Sequence, residues 1–166
     1  MADHREKQEG ARWRKAPELP PDGFEALHKP NRAINPIAVV ATVDPDGTPR
    51  TAPFGSLRAV TPRLLRLACN RYHDTYANLC RDGRVSVALL APPDIAMSIR
   101  GRARVVSERM ATGEHLAVLE IDVEEVKNDM MRRGVIESAV GFSPPEDLMD
   151  FYVGAIAEIE DMEQQQ

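Results

Sequence analysis

Short apolar runs separated by turn residues fill the middle of this chain and predict a protein built mainly of β-strands. Each run is rich in β-branched or aliphatic residues and is bounded by Gly, Pro, Asp or Asn, as strands usually are. The predicted strands cover residues 37–43, 48–56, 64–69, 84–90, 95–106 and 116–123, the last continuing toward Val126. Consecutive short strands predict antiparallel pairing in a small barrel with appended helices.

The predicted strand at 95–106 alternates most cleanly between apolar and polar residues. One of its faces holds the apolar or small residues Met97, Ile99, Gly101, Ala103 and Val105. The other face holds Ser98 and the arginines Arg100, Arg102 and Arg104. Arginines in this arrangement predict a solvent-exposed face paired with acidic neighbours. The alternatives are a dimer contact or the rim of a site for an anionic ligand.

A tight turn joins the first two predicted strands. At residues 44–47 (sequence DPDG) the proline fixes one backbone dihedral and the glycine accepts a positive φ. The returning strand contains Pro49, Pro53 and Gly55, which remove hydrogen-bond donors and side-chain bulk. Such a strand is expected at a sheet edge, or where another molecule approaches its backbone.

Short helices are predicted at residues 24–28, 75–80 and 144–158. The last follows a capping box, Ser143 to Glu146, with proline at the first helical position. Its apolar stripe comprises Leu148, Phe151, Tyr152, Ala155, Ile156 and Ile159. Residues 1–23 are polar and end in several prolines, so we expect an extended arm there, followed by a single domain at 24–166.

Composition and charge limit the class of protein and its partners. The 166 residues are 43 % hydrophobic and 28 % charged, which is typical of one globular domain with a sizeable core. A net charge of −5 argues against a nucleic-acid partner, which normally binds a basic face. No apolar run is long enough for a bilayer and no signal-peptide pattern is seen, so we expect no membrane partner and a cytoplasmic location. Cys69 and Cys80 lack metal-ligand spacing, so no metal site is predicted.

The strand at 64–69 ends in a polar loop that leads into the helix at Thr75, and this arrangement suits an anion. The first backbone N–H groups of a helix have no partner within the helix, so they can bind an anion, to which Thr75 would add its hydroxyl. Arg50, in the preceding hairpin, could add a guanidinium that matches phosphate geometry. The alternative is a plain helix with Asp74 as its N-cap and Arg50 in solvent.

Familiar motifs of nucleotide binding and catalysis are absent from the sequence. It contains no Rossmann glycine fingerprint, no P-loop and no nucleophile elbow. The histidines at positions 4, 28, 73 and 115 show no ligand pattern. The residues alone therefore indicate a β-barrel domain with one candidate anion site and unknown catalytic residues.

The order of these pieces resembles the pyridoxamine 5′-phosphate oxidase-like family of FMN-binding split barrels. The matching segments are residues 38–50, 67–70 with 75–79, 82–87 and 100–103, and together they span about residues 35–127. The resemblance implies a mainly β (α+β) fold: an antiparallel Greek-key split β-barrel with a few short helices and a C-terminal helix. It also implies an FMN cofactor bound at the interface of a homodimer.

By this resemblance, the FMN phosphate would be held by the Arg50 strand and the loop before the Thr75 helix. The backbone of Thr51, Ala52 and Pro53 would face the isoalloxazine, which would explain the lack of side-chain bulk in that strand. Cys69 and Asn70 would contact the ribityl chain or the phosphate. The implied cofactor-binding residues are Arg50, Thr51, Ala52, Pro53, Cys69, Asn70, Thr75 and Tyr76.

The chain also departs from the family pattern. Thr75 stands where the true oxidases have a phosphate-binding lysine, and Ala96 where they place a glutamine near the flavin. The closing helix does not resemble their substrate-binding C-terminal segment. These departures argue against vitamin B6 oxidation and favour a flavin reductase or oxidase with a small-molecule substrate. NAD(P)H is the candidate electron donor, and a turnover assay would test it. The alternatives are a deazaflavin or haem in the same fold, or a flavin-binding dimer without turnover.

Overall fold

The structure, a computed structural model, describes residues 14–163. Its strands are β1 (Lys15–Ala16), β2 (Ala38–Val43), β3 (Pro49–Phe54), β4 (Arg58–Thr61), β5 (Leu64–Asn70), β6 (Arg84–Ala91), β7 (Ile95–Ser107) and β8 (Leu116–Asn128). Its helices are α1 (Pro21–His28), α2 (Asp74–Arg81) and α3 (Met149–Asp161). Among residues 14–163, no helix is both long and apolar enough to cross a membrane.

The strands form one antiparallel sheet that curls around an apolar core. Their order is β3-β2-β6-β7-β8-β5-β4, and β1 pairs with β8. The inward positions of each strand meet in this core, whose fully buried members include Val40, Leu67, Val87, Ile99 and Leu119. This arrangement confirms the predicted mainly β, α+β split barrel.

The alternating strand β7 has the two faces that its sequence predicts. Its even-numbered arginines are exposed, whereas Ile99 and Gly101 on the opposite face are buried. The arginines pair with carboxylates of β8, namely Arg100 with Glu125 (3.9 Å), Arg102 with Glu124 (3.4 Å) and Arg104 with Glu120 (2.6 Å). This confirms the prediction of an exposed face paired with acidic neighbours.

The hairpin of β2 and β3 closes as predicted. Gly47 has φ of 88° and donates its N–H to the carbonyl of Asp44 at 2.9 Å. Strand β3 lies at one end of the sheet order, so its outer backbone groups face away from the sheet. Its proline-rich sequence therefore marks a sheet edge, as expected.

Several predicted boundaries were wrong. Helix α1 begins at Pro21 rather than at residue 24. Strand β1 pairs with β8, so residues 14–23 of the predicted arm run along this chain's own barrel. The rest of the predicted arm, residues 1–13, lies outside the described residues. Helix α2 begins at Asp74 rather than at Thr75, and His73 occupies the N-cap position that the plain-helix alternative assigned to Asp74. Strand β4 was not predicted, because it has only 4 residues and begins with an arginine.

The predicted capping box at Ser143 was also wrong. A 3₁₀ turn, Glu146–Leu148, precedes α3, and no side-chain hydrogen bond caps either start. Ser143 and Pro144 each precede a proline, which disfavours the helical region for both. The chain therefore stays extended through Pro145, where ψ is 152°. The predicted apolar stripe is correct in its second half, since Ala155, Ile156 and Ile159 are buried.

Candidate functional site

Helix α2 is fastened to the β2–β3 hairpin by a buried asparagine. Asn78 is only 2 % exposed, and its Nδ2 donates to Thr42 Oγ1 at 3.0 Å and to Asp44 Oδ1 at 2.8 Å. Arg81 donates to Asn78 Oδ1 at 3.1 Å and also to the carbonyl of Val43. These contacts fix the position of the helix relative to the hairpin, and therefore the position of its N-terminus.

Arg50 extends from the edge strand toward that N-terminus. Its Nε donates to both Asp44 carboxylate oxygens at 2.9 Å, and its Nη2 lies 2.7 Å from Asp44 Oδ2. Its Nε also lies 3.6 Å from Oδ2 of Asp74, the first residue of α2. The hydrogen bond from Arg50, and then that from Asn78, lowers the pKa of Asp44. Arg50 is thus held by carboxylates while its side chain remains 48 % exposed to solvent.

The loop before α2 is ordered by Asn70. The Asn70 side chain accepts a hydrogen bond from the N–H of Tyr72 at 3.0 Å, and its carbonyl accepts one from His73 at 3.1 Å. The carbonyl of His73 in turn accepts from Tyr76 at 3.1 Å and begins the helix. Thr75, in the first turn, is buried. Arg50 and the Asn70 loop therefore both lie beside the N-terminus of α2.

A cavity of about 380 Å³ opens at the other end of β3. Its floor comes from the end of β3 and from β5, and its outer wall comes from α3. Its lining residues include Pro53, Gly55, Asn70, His115, Phe142, Phe151 and Tyr152. His115 stacks on Phe151 with ring centroids 5.8 Å apart, and Phe151 meets Tyr152 edge-on at 5.9 Å. The wall is therefore a packed aromatic cluster.

The predicted cofactor-binding residues separate into distinct positions. Pro53 and Asn70 line the cavity, while Arg50, Thr51 and Ala52 follow one another along the edge strand. The remaining residues, Cys69, Thr75 and Tyr76, lie on β5 and in the first turn of α2.

The side chain of Cys69 points into the barrel core, and Tyr76 packs against that core from α2. Burial raises the pKa of the Cys69 thiol to about 12. Cys69 could therefore reach a cofactor only through its backbone.

The sequence analysis did not find the aromatic wall of the cavity. His73 and His115, which show no ligand pattern in the sequence, are exposed residues that also line the cavity. Phe151 and Tyr152 were recognised only as members of an apolar helix stripe. Their membership of that stripe was the available signal, but the sequence does not say which element the stripe packs against.

A second cavity, of about 410 Å³, is lined by buried basic side chains, among them Lys29, Arg58 and Arg66. Lys29 Nζ donates to the carbonyls of Ile34 at 3.0 Å and Gly55 at 3.2 Å. Burial, with the nearby charge of Arg58 as a smaller cause, lowers the pKa of Lys29 to about 7. Because Gly55 also lines the first cavity, the two cavities share a wall.

Comparison with known proteins identifies the family. The family model for pyridoxamine 5′-phosphate oxidase matches residues 27–130, while no curated protein matches the chain. A Lactobacillus delbrueckii structure provisionally named a pyridoxamine 5′-phosphate oxidase is 22 % identical, with TM-score 0.54, over 67 % of this chain and 94 % of its own. HupZ of Group A Streptococcus is 20 % identical, with TM-score 0.53, over 74 % of this chain and 99 % of its own.

An F420 reductase is also similar, with 14 % identity and TM-score 0.54 over 67 % of this chain and 100 % of its own. At such identities these solved structures support the fold alone, whereas the family model covers well over half of the 166 residues. The match contains the hairpin, the Asn70 loop, α2 and β7. The chain therefore belongs to the pyridoxamine 5′-phosphate oxidase family, a family of flavin-binding, oxidoreductase-like split barrels.

Proposed function

We propose that this protein is an FMN-dependent oxidoreductase of the flavin reductase or oxidase type. The observation behind the proposal is the approach of Arg50 to Asp74 at 3.6 Å, which brings a guanidinium to the N-terminus of α2. A dianionic phosphate would be bound by the guanidinium and by the free N–H groups of the helix, because charge-assisted hydrogen bonds from such donors are strong. The ion pairs of Arg50 run through Nε and Nη2, so Nη1 is left to face a ligand.

The length of β3 matches the shape of the cofactor. Pro53 is three residues beyond Arg50, and a strand rises about 3.3 Å per residue, so the two positions are roughly 10 Å apart. A phosphate at Arg50 would thus place a ribityl chain along Thr51 and Ala52, and a flat ring at Pro53, beside the cavity. Pro53 has no N–H and little bulk, so a ring can approach the backbone there.

The chemistry would be that of the flavin, which accepts and donates electron pairs. The residues of this chain would hold the phosphate, orient the ring against β3 and shape the cavity beside it. We further propose a homodimer, because β3 is an exposed edge and Val135 and Val140 are 71 % and 67 % exposed. Exposed edges and apolar surface invite association.

The absorbance spectrum of the purified protein tests the cofactor. Bound FMN gives two bands in the near-ultraviolet and blue, a deazaflavin gives a different single band, and haem gives a Soret band. A protein that shows none of these and takes up no added FMN would contradict the proposal. Turnover with NAD(P)H and an electron acceptor then separates an enzyme from a flavin-binding dimer without turnover.

A further inference from the structure

The cavity at the Pro53 end of β3 has no charged side chain among its described lining residues. Its polar side-chain atoms belong to Ser56, Asn70, His73, His115 and Tyr152. A charged ligand that entered would lose water without meeting an opposite charge, which is costly. The lining therefore selects against charge.

The aromatic wall adds a preference for flat molecules. Phe142 and Tyr152 have ring centroids 5.6 Å apart, at 50° to one another, and the His115–Phe151 and Phe151–Tyr152 contacts extend the cluster. Aromatic rings pair best in offset-stacked or edge-to-face arrangements. A flat ring that enters this cavity finds both ring faces and ring edges to pack against.

Positive charge lies close by, but on the far side of the shared wall. Lys29 and Arg58 both donate to the carbonyl of Gly55, at 3.2 Å and 3.1 Å. Arg58 is also paired with Glu160 at 2.7 Å, and both cations line the second cavity. Their hydrogen bonds are made to the protein, so the first cavity offers an anion no direct cationic partner.

We propose that the substrate of this site is an uncharged, flat electron acceptor of the quinone class, which enters the cavity and packs against Phe151 and Tyr152. This inference rests on the proposed flavin function. In the reaction the reduced flavin loses two electrons and two protons. The quinone takes up the same two electrons and two protons, which reduces its two carbonyl oxygens to hydroxyls and gives a hydroquinone.

The test compares 1,4-naphthoquinone with its anionic 2-sulfonate. FMN-loaded protein is reduced without air by light in the presence of EDTA, which supplies the electrons. It is then mixed with each quinone, and flavin reoxidation is followed by absorbance. Each rate is divided by the rate with free reduced FMN, which corrects for the different potentials of the two quinones. We expect the corrected rate to favour the neutral quinone by about tenfold or more, because the sulfonate must be desolvated. Equal rates, or a faster sulfonate, would overturn the inference.

A matched pair of variants places the effect in the cavity. Phe142→Lys adds a cation to a lining residue that is 39 % exposed, while Leu148→Lys adds one to a residue that is 44 % exposed and outside the lining. Only Phe142→Lys should reduce the preference for the neutral quinone, by about tenfold, since it supplies a counter-charge. If neither variant changes the preference, the acceptor does not use this cavity and the inference fails.

FMN titration of every protein comes first and separates the two proposals. A parent protein that binds no FMN refutes the proposed function. An FMN-binding parent with no charge preference refutes only the inference about the substrate. The ratio of the corrected rates for the neutral and the anionic quinone in the parent protein tests the inference without any variant. A Phe142→Lys protein that fails to fold therefore does not weaken the test.

Discussion

Arg50 of β3 and Asp74 of α2 lie 3.6 Å apart, measured from Nε to Oδ2. The pair links the free edge of the sheet to the first residue of a helix. It therefore places a guanidinium beside backbone N–H groups that have no partner within the helix. Asp44 fixes the side chain of Arg50 before any ligand binds. Arg50 would therefore lose little side-chain entropy when a ligand binds.

Replacing Arg50 with alanine should weaken FMN binding. Loss of one charge-assisted hydrogen-bonding partner of the phosphate should cost roughly 1.5–3 kcal/mol, or about tenfold to a hundredfold in affinity. Fluorescence titration of FMN into apoprotein measures this change. Riboflavin, which lacks the phosphate, should bind the parent weakly and be almost indifferent to the substitution.

Arg84→Ala is the matched control for Arg50→Ala. Arg84 is exposed, as Arg50 is, and bonds an aspartate, Asp82, through the same two nitrogens, Nε and Nη2. It differs in position, because it follows the C-terminus of α2 and does not lie at the N-terminus. FMN affinity should be unchanged by this control. Equal losses for FMN and riboflavin in Arg50→Ala would show that Arg50 supports the fold and not the phosphate.

Thr75→Val should weaken FMN binding less than Arg50→Ala does. Valine keeps the shape of the buried threonine and removes only its hydroxyl, while the backbone N–H groups of α2 still face the phosphate. The loss should be about 1 kcal/mol, or roughly fivefold in affinity. The same titration measures it, and a loss larger than that of Arg50→Ala would mean that the hydroxyl is the main phosphate ligand.

Asn78→Ala should destabilise the protein as a whole. The substitution removes a buried amide that bonds Thr42, Asp44 and Arg81, and buried groups left without partners cost about 1–3 kcal/mol in the free energy of unfolding. Urea unfolding followed by circular dichroism measures the cost. Asn128→Ala, which removes one hydrogen bond to the N–H of Met130, should cost less. Equal costs would show that the Asn78 network adds little.

Lys29 should make stability rise with pH above neutrality. Its pKa in the folded protein, about 7, is below its ordinary value of 10.5. Between those values the unfolded chain binds a proton that the folded protein does not, so raising the pH favours folding. Below about pH 7 both states hold the proton and the contribution is constant.

The comparison of parent and Lys29→Met isolates this effect. From pH 7.5 to 9 the free energy of unfolding of the parent should rise relative to that of Lys29→Met, on the order of 1 kcal/mol per pH unit. Lys127→Met, at an exposed lysine paired with Asp129, should run parallel to the parent. If all three proteins run parallel, Lys29 keeps an ordinary pKa.

The protein should sediment as a dimer when FMN is bound. The edge of β3 and the exposed apolar residues Val135 and Val140 would be covered by a second copy related by a two-fold axis. Sedimentation velocity at micromolar concentration measures the mass. A monomer that retains FMN would contradict the proposed dimer and would require the ring to be covered by this chain alone.

The six longer strands were predictable because their apolar runs and bounding turns are local signals, whereas the short strands β1 and β4 and the buried charges were not. The sequence places Arg66 in a strand but does not identify its partner, Glu120, which is 54 residues away along the chain. In the structure, Arg66 Nη2 donates to Glu120 Oε1 at 2.6 Å. The site divides in the same way. The hairpin that carries Arg50 and the helix start at Thr75 were predictable because turn and helix-start signals are local. The cavity was not, because its lining comes from segments as distant as Pro53, His115 and Tyr152.

The attachment of α3 has a consequence for how this site can diverge. Arg66 of β5 donates through Nη1 to the carbonyls of Ile159 at 2.8 Å and Met162 at 3.0 Å, at the end of the helix. Glu158 accepts from the N–H of Ala111 at 2.7 Å. The helix is thus secured through its C-terminal half, while Phe151 and Tyr152 in its first turn line the cavity. Mutations in that first turn would therefore change the lining of the cavity while leaving the contacts that secure the helix in place, so the cavity could diverge separately from the fold.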